Sequence, residues 1–335
     1  MMTLHCPPIY GDEYPAFNED AYFVNVFNAS KLNIKMQRIA QQIVTELESG
    51  DGCVLLKNTY TGDCINRSKS VLLNVCRHIG WPISQTPAVK FIEEVTFKAS
   101  GSEASQKAGY RSRASMPMHT DRCDLNVLFC HRPALNGGHT RVVSSVKLYH
   151  TLKQHLSSFN PEVLDSYFPF NTHGENKTGE EDYYLSKLFY PSPDTTEFAA
   201  HYIRCFIDDP APQTYPLSDS MIHLMDLIDT LSQRDDVGVN INLCKGDILL
   251  LNSHTTLHAR EAYVDNDSSR LLLRVWLSHP RSRALPADFL HKFKDLSAGS
   301  YRGGIWGNDK ARRFYAEQFL KCQNTKTKEH AEPGD

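Results

Sequence analysis

A histidine and an aspartate stand two residues apart in the segment His119-Thr120-Asp121. On an extended strand, side chains two apart face the same way, so an imidazole and a carboxylate can reach one ion from there. A distant second histidine would complete a two-histidine, one-carboxylate set. Such a set binds Fe(II) on one face and leaves positions open for a bidentate cosubstrate and O₂. By itself the pair says little, because most histidines lie on surfaces or are hydrogen-bonded in cores.

The second histidine has two candidates. Residues 252–260 read Asn-Ser-His-Thr-Thr-Leu-His-Ala-Arg and supply His254 and His258. His258 is favoured because Arg270 follows 12 residues later, at the start of the next apolar run. A hairpin of that length can bring the two side chains into one cavity. Arg270 and Arg274 are four apart, so on a strand they share a face. A guanidinium fork suits a carboxylate through paired hydrogen bonds. Two guanidiniums within an apolar run need an anionic partner, either a ligand acid or a core Asp or Glu.

The elements that must position these groups follow from apolar periodicity. Residues 33–48 carry Ile34, Ile39, Ile43, Val44 and Leu47 at helical spacing, closed by Gly50-Asp51-Gly52. Residues 53–56 then read as a buried strand, 68–78 as a helix, and 89–95 as a strand. Residues 97–115, rich in Ser, Gly, Lys and Arg, read as a loop ahead of the His119 motif. Strands are predicted at 125–131, 140–143, 202–207, 239–243, 248–251 and 271–277, and helices at 147–157 and 219–234. Residues 160–200 read as an irregular insert or lid. The tail, residues 322–335, is polar and reads as disordered. Short strands on both sides of an insert, with helices outside, predict an α+β fold: a double-stranded β-helix of jelly-roll or cupin type in a single domain over residues 1–321.

Charged residues make up 22% and hydrophobic ones 41% of the 335 residues, which fits a globular protein. The formal net charge of −3 provides no general basic field, so nucleic acid is not expected as a partner. The nine cysteines are scattered, odd in number and without a C-x-x-C pair. That argues against a disulfide framework and for reduced thiols in a cytoplasmic setting. No run of about 18 apolar residues predicts a membrane span.

Taken in order, His119-Thr120-Asp121, Gly137-Gly138-His139-Thr140, Leu257-His258-Ala259-Arg260 and the run from Arg270 through Arg274 to Leu277 resemble the TauD/TfdA family of Fe(II)/2-oxoglutarate dioxygenases. The resemblance extends more weakly from about residue 46 to residue 280. It implies a double-stranded β-helix with Fe(II) held by His119, Asp121 and His258. It implies that Arg270 binds the distal carboxylate of 2-oxoglutarate, with a hydroxyl hydrogen bond from Thr140. In some family members the arginine matching Arg274 holds an acidic group of the primary substrate. Halogenating relatives lack the carboxylate that Asp121 supplies, so its presence implies hydroxylation or another oxygen-derived oxidation. The implied activity consumes 2-oxoglutarate and O₂, releases succinate and CO₂, and oxidises a small molecule such as an amino-acid derivative or another acid.

Gln85, Arg122 and Met116 are further candidates for the substrate side, with Tyr110, Arg111 and Arg113 just ahead of the motif. Arg122 and Asp124 could also support the ligands from behind. Two other readings compete: a catalytically silent jelly-roll binding protein, and a zinc-type metal hydrolase using the same three residues.

Overall fold

A computed structural model describes residues 1–5, 34–97, 111–157, 160–172, 182–192, 197–209, 215–265 and 269–329. The chain begins with β1 (Met2–His5), α1 (Ile34–Ser49), β2 (Cys53–Lys57), α2 (Ile65–Cys76), β3 (Trp81–Ile83) and β4 (Ile92–Val95). Strands β5 (Met116–His119), β6 (Leu125–Arg132), β7 (Asn136–Gly137) and β8 (Thr140–Ser144) lead into α3 (Ser145–Leu156). The middle section holds β9 (Phe168–Asn171), β10 (Tyr183–Ser186), β11 (Phe189–Tyr190), β12 (Ala199–Ala200), α4 (Arg204–Ile207) and α5 (Asp219–Leu231). The last section holds β13 (Gly238–Ile241), β14 (Ile248–Asn252), β15 (Thr256–Arg260), β16 (Tyr263–Val264), β17 (Leu271–Ser278), α6 (Leu290–Phe293) and α7 (Asp309–Glu329).

The strands form the two facing sheets of a double-stranded β-helix. The larger runs β1-β2-β14-β6-β17-β3, with β4 also paired to β17; the smaller runs β13-β8-β15-β5. Strand periodicity explains how they stack. On β2, β6 and β14, Cys53, Leu55, Leu128, Cys130, Leu249 and Leu251 point inward and meet Val142 and Ile241 of the smaller sheet. The alternate residues Val54, Leu56, Val127, Phe129, Ile248 and Leu250 point outward and pack under Ile43 and Leu47 of α1 and Leu72 and Val75 of α2. The outward face of the smaller sheet, Val143 and Leu257, is covered by Leu148 and Leu152 of α3 and Leu224 and Ile228 of α5. Both central strands are thus buried on two sides, which is why residues 248–251 read as an unbroken apolar run.

Helix starts are set by local chemistry. The Ser144 and Ser218 side chains accept hydrogen bonds from the backbone N–H of Lys147 and Met221, satisfying donors that the first helical turn leaves open.

Two expectations need correction. Residues 202–207 are not a strand: His119 makes a single antiparallel bridge with Ile203, after which Arg204–Ile207 turns as a short helix. With Tyr202, Ile203, Phe206 and Ile207 all apolar, so short a run carries no period that could reveal the switch. The polar tail does not end the structure at residue 322, because α7 continues to Glu329. Lack of apolar residues removes packing but does not forbid helix, since Lys, Gln and Glu are good helix formers. Residues 330–335 and most of the loop expected at 97–115 lie outside the described residues. The expected insert contributes the two short hairpins β9–β10 and β11–β12. Among the described residues no helix is long and apolar enough to cross a membrane.

Leu250 is fully buried at the centre of the larger sheet, against the helix layer. Leu250→Ala is expected to destabilise the fold by about 2–5 kcal/mol, read as a lower urea midpoint at unchanged m-value.

Candidate metal centre

Cross-strand pairing brings the two histidines together. β5 runs antiparallel to β15 with His119 directly opposite His258, and residues opposite one another project from the same face. Their ring centroids are 4.1 Å apart. Asp121 arrives differently from the expectation of two ligands along one strand: β5 ends at His119, and Asp121 lies in the turn toward β6. Its Oδ1 is 4.0 Å from His119 Nε2 and its Oδ2 is 3.5 Å from His258 Nε2. One ligand atom from each of the three residues falls within 4.8 Å of the others.

The protonation states suit a cation. His119 Nδ1 lies 2.9 Å from the Pro117 carbonyl, which can only accept, so Nδ1 carries a hydrogen and Nε2 is the nitrogen left toward the cluster. Burial pushes His258 down to about 3, with His119 and Arg274 acting the same way against the pull of Asp121. Burial also works to raise the Asp121 carboxyl, but Arg274, His258 and His119 outweigh it and hold it below the usual carboxylate range. Asp121 Oδ2 is buried and makes no hydrogen bond of ordinary geometry, although the nearby Trp276 indole N–H adds a weak pull on the carboxylate. A buried anionic oxygen in that state is costly, and a divalent cation between the three side chains would satisfy it.

Beside His258 lies a pocket lined by Thr140, Arg260, Arg270, Arg274, Leu272 and Met116. Arg270 is anchored from behind. Its backbone N–H donates to Asp265 Oδ1 at 2.9 Å, and one terminal nitrogen donates to the Gly138 carbonyl at 3.3 Å. The other, Nη1, is buried without a partner. Gly138 has φ +72° and leaves only 3.2 Å between the position of a Cβ and Arg270 Nε. A side chain there would be strained and would crowd the guanidinium. Arg274 stacks over Trp276, donates to Gln85 Oε1 at 2.7 Å, and places a terminal nitrogen 3.9 Å from Asp121 Oδ1.

The other candidates divide. Met116 lines the pocket. Gln85 holds Arg274 rather than facing open space, since its amide also donates to the carbonyls of Phe91 and Arg274. Arg122 donates to the Lys292 carbonyl at 3.0 Å and braces the C-terminal segment, and it is not among the pocket-lining residues. Arg111 and Arg113 approach the buried carboxylates Glu93 and Asp265, respectively. Tyr110 lies outside the described residues. The rival histidine, His254, is turned the other way: its Nε2 binds Asp124 Oδ1 at 2.8 Å.

Asp124, expected as a support for the ligands, instead binds His254 and centres a network that sequence reasoning missed. This carboxylate also accepts from Arg302 Nε at 2.9 Å and from the His279 backbone N–H at 3.0 Å. Arg302 is 178 residues away in sequence, so no spacing rule could join them. Asn126, whose amide nitrogen is 3.4 Å from His258 Nε2, carries no signal in the sequence.

Residues 23–276 match the family described as taurine catabolism dioxygenase TauD, TfdA family. FR-33289 synthase of Streptomyces rubellomurinus is 28% identical over 261 residues, which is 74% of this chain and 75% of that protein. The taurine hydroxylase-like protein SAT17 of Stachybotrys chartarum is 26% identical over 167 residues, 46% of this chain and 40% of that protein. Among solved structures, an asparagine oxygenase superposes with a TM-score of 0.57 at 15% identity, covering 92% of this chain and 98% of that one. A mutant of the non-heme iron oxygenase OrfP in complex with (3S)-hydroxy-L-Arg also gives 0.57 at 15% identity, covering 79% of this chain and 87% of that one. These two likenesses are of fold.

Burial drives His254 and His279 to about 4 and His258 to about 3, so each stays neutral in the folded chain. The unfolded chain protonates its histidines near the ordinary value of about 6.5. Below that pH the unfolded state binds more protons, so these residues lower stability as pH falls toward their folded values. For the metal-free protein the urea midpoint is expected to drop steadily from about pH 6.5 to about pH 4. His254→Asn should flatten the slope by up to one proton.

Proposed function

The chain belongs to the TauD/TfdA family of dioxygenases, and from that premise we propose a division of labour among the residues of the centre. His119, Asp121 and His258 hold Fe(II). Arg270, with the hydroxyl of Thr140, holds the distal carboxylate of 2-oxoglutarate. Arg274 holds an acidic group of an amino-acid-like substrate.

The enzyme is an Fe(II)/2-oxoglutarate-dependent oxygenase that acts on a small molecule. When bound, iron, 2-oxoglutarate and O₂ supply oxidation of a C–H bond, with conversion of 2-oxoglutarate to succinate and CO₂. The observation that carries the residue assignment is a pair of incompletely satisfied buried atoms. Asp121 Oδ2 is short of a cation and Arg270 Nη1 is short of an anion, and they flank the same histidine, His258. A metal with a dicarboxylate cosubstrate answers both. A zinc hydrolase has no use for the second, and a silent binding protein has no use for the first.

The protein's part is to orient and exclude water. His119 and His258 present imidazole nitrogens, and burial keeps that of His258 neutral. Arg270 would hold one end of the cosubstrate in the pocket beside His258. Leu272, Leu128 and Val95 line the pocket on its apolar side. Arg274 Nη1 stands 3.9 Å from Asp121 Oδ1, so an acid bound there brings its neighbouring carbons beside the centre.

Support for an amino-acid-like substrate comes from the relatives. OrfP has been crystallised with (3S)-hydroxy-L-Arg, and an asparagine oxygenase with 2S,3S-3-hydroxyasparagine and succinate. The cysteines fit a reducing, cytosol-like compartment: Cys53, Cys76, Cys123 and Cys130 are buried free thiols.

Succinate release and O₂ uptake are to be measured across a panel of amino acids and their N-acyl and acidic derivatives. At least one should drive both in equal amounts. With it, Arg270→Gln should raise the KM for 2-oxoglutarate by about 10–100-fold, the loss of a charge-assisted hydrogen bond. Arg274→Gln should instead raise the KM of the substrate and leave that of 2-oxoglutarate within about threefold. Equal effects of both variants on both constants would refute the division of roles.

A further inference from the structure

Thr120 stands between two proposed ligands, and its side chain points away from them into a buried polar chain. Its Oγ1 is 3.2 Å from His201 Nδ1. On the far side of that ring, His201 Nε2 is 2.8 Å from the Tyr184 hydroxyl. The ring is stacked on Phe170 at a centroid distance of 4.2 Å and is nearly parallel to Tyr184. Tyr184 and Phe170 face each other in the β9–β10 hairpin. The backbone adds two more ties. Thr120 N–H donates to the Tyr202 carbonyl at 2.8 Å, and Tyr202 N–H donates to Thr120 Oγ1 at 3.3 Å.

The donors and acceptors close with either tautomer of a neutral imidazole, and the one that uses the shorter Thr120 contact has Nδ1 as the acceptor. Burial, with Lys292, Arg122 and His254 nearby, keeps His201 well below the ordinary histidine value, so it has one N–H and one lone pair. Thr120 Oγ1 already accepts from Tyr202. Its own hydrogen has two acceptors in reach, His201 Nδ1 at 3.2 Å and the Tyr202 carbonyl at 3.5 Å, and the nearer is the ring. Nε2–H then donates to the Tyr184 oxygen. Every polar atom of the ring is used, and none faces the metal cluster.

We propose that His201 is a positioning residue for the metal centre: through Thr120 it fixes the turn that carries His119 and Asp121 and ties that turn to the β9–β10 hairpin. The proposal rests on the ligand assignment above. The turn is held on both sides. His119 is opposite His258 on one edge and bridges to Ile203 on the other, while Asp121, beyond the strand end, has no ladder of its own. Thr120 is the link that transmits the 201–203 segment to Asp121. A centre of this kind requires ligands placed to within about 0.5 Å, and loss of a group that orients a ligand typically weakens metal binding about 10–100-fold.

The test uses Mn(II) as a stand-in ion, titrated with the full chain in the presence of 2-oxoglutarate and read by electron paramagnetic resonance of the free ion. His201→Phe keeps a ring in the stack and removes both nitrogens; Thr120→Val keeps the shape and removes the hydroxyl. Each should weaken Mn(II) binding by about tenfold or more, while the melting temperature of the metal-free protein stays within a few degrees of wild type. The double variant should be no weaker than the worse single one, because both cut the same link. Tyr184→Phe should act in the same direction and less, and with Thr120→Val it carries the test if His201→Phe does not fold. Asp121→Ala is the control that separates the two claims. If wild type and Asp121→Ala bind alike, the ligand assignment fails and this proposal with it. If Asp121→Ala loses the ion while His201→Phe and Thr120→Val bind as wild type, or if their effects add, His201 only packs and the positioning role alone is overturned.

Discussion

Two buried carboxylates three residues apart, Asp121 and Asp124, are held in opposite ways, and much of this protein follows from the difference. A carboxylate removed from water must be paired and hydrogen-bonded or it destabilises the fold. Asp124 meets that demand completely, with His254, Arg302 and the backbone of His279 around it. Those partners come from the β14–β15 turn, the end of β17 and the C-terminal segment, so one side chain joins three distant parts of the chain. Asp121 does not meet it. Its Oδ1 lies near the His119 imidazole and the Arg274 guanidinium, and its Oδ2, beside His258, has no hydrogen bond of ordinary geometry. On the assignment proposed above the first carboxylate belongs to the site and is completed by a cation, whereas the second belongs to the scaffold.

The same contrast recurs among the cations. Arg302, fully buried, gives its guanidinium hydrogens to Asp124 and to the carbonyls of Arg283, Leu296 and Ser297. Arg270, also buried, keeps one nitrogen open toward the pocket beside His258. Rigid support from behind is what lets that openness persist. Asp265 and the Gly138 carbonyl fix Arg270, as Gln85 fixes Arg274. The two sheets hold these groups at the right separation because their inward faces alternate strictly with faces committed to helix packing.

The sequence made the alternation legible, and with it the sheets: residues 125–131, 140–143, 248–251 and 271–277 are strands close to where their apolar patterns place them. It also marked the candidate ligands, since His119, Asp121, His258, Thr140 and Arg270 carry a recognisable order. What it could not show was which contacts are made across long separations. The histidines meet because β5 pairs with β15 in one register, not because His119 and Asp121 share a strand face. His254 and His258, four apart, offer the same imidazole, and in the sequence only the spacing to Arg270 favours His258. Asp124 decides between them by taking His254 for the scaffold. The segment 202–207 misled for a related reason: a bridge at Ile203 and a helix at 204–207 are dictated by the neighbours, Thr120 and Asp229 among them, rather than by local period.

The central claim is that Asp121 and Arg270 are the incomplete halves of one site, filled by Fe(II) and 2-oxoglutarate together. Anaerobic titration with Fe(II) and then 2-oxoglutarate, followed by visible absorption, tests it most directly, because the charge-transfer band reports a 2-oxoglutarate chelated to iron. Wild type should develop the band only when both are present, Asp121→Ala should develop none, and Arg270→Gln should need far more 2-oxoglutarate to reach it. A wild-type protein that gives no band, or an Asp121→Ala protein that gives the same band at the same concentrations, would contradict the account.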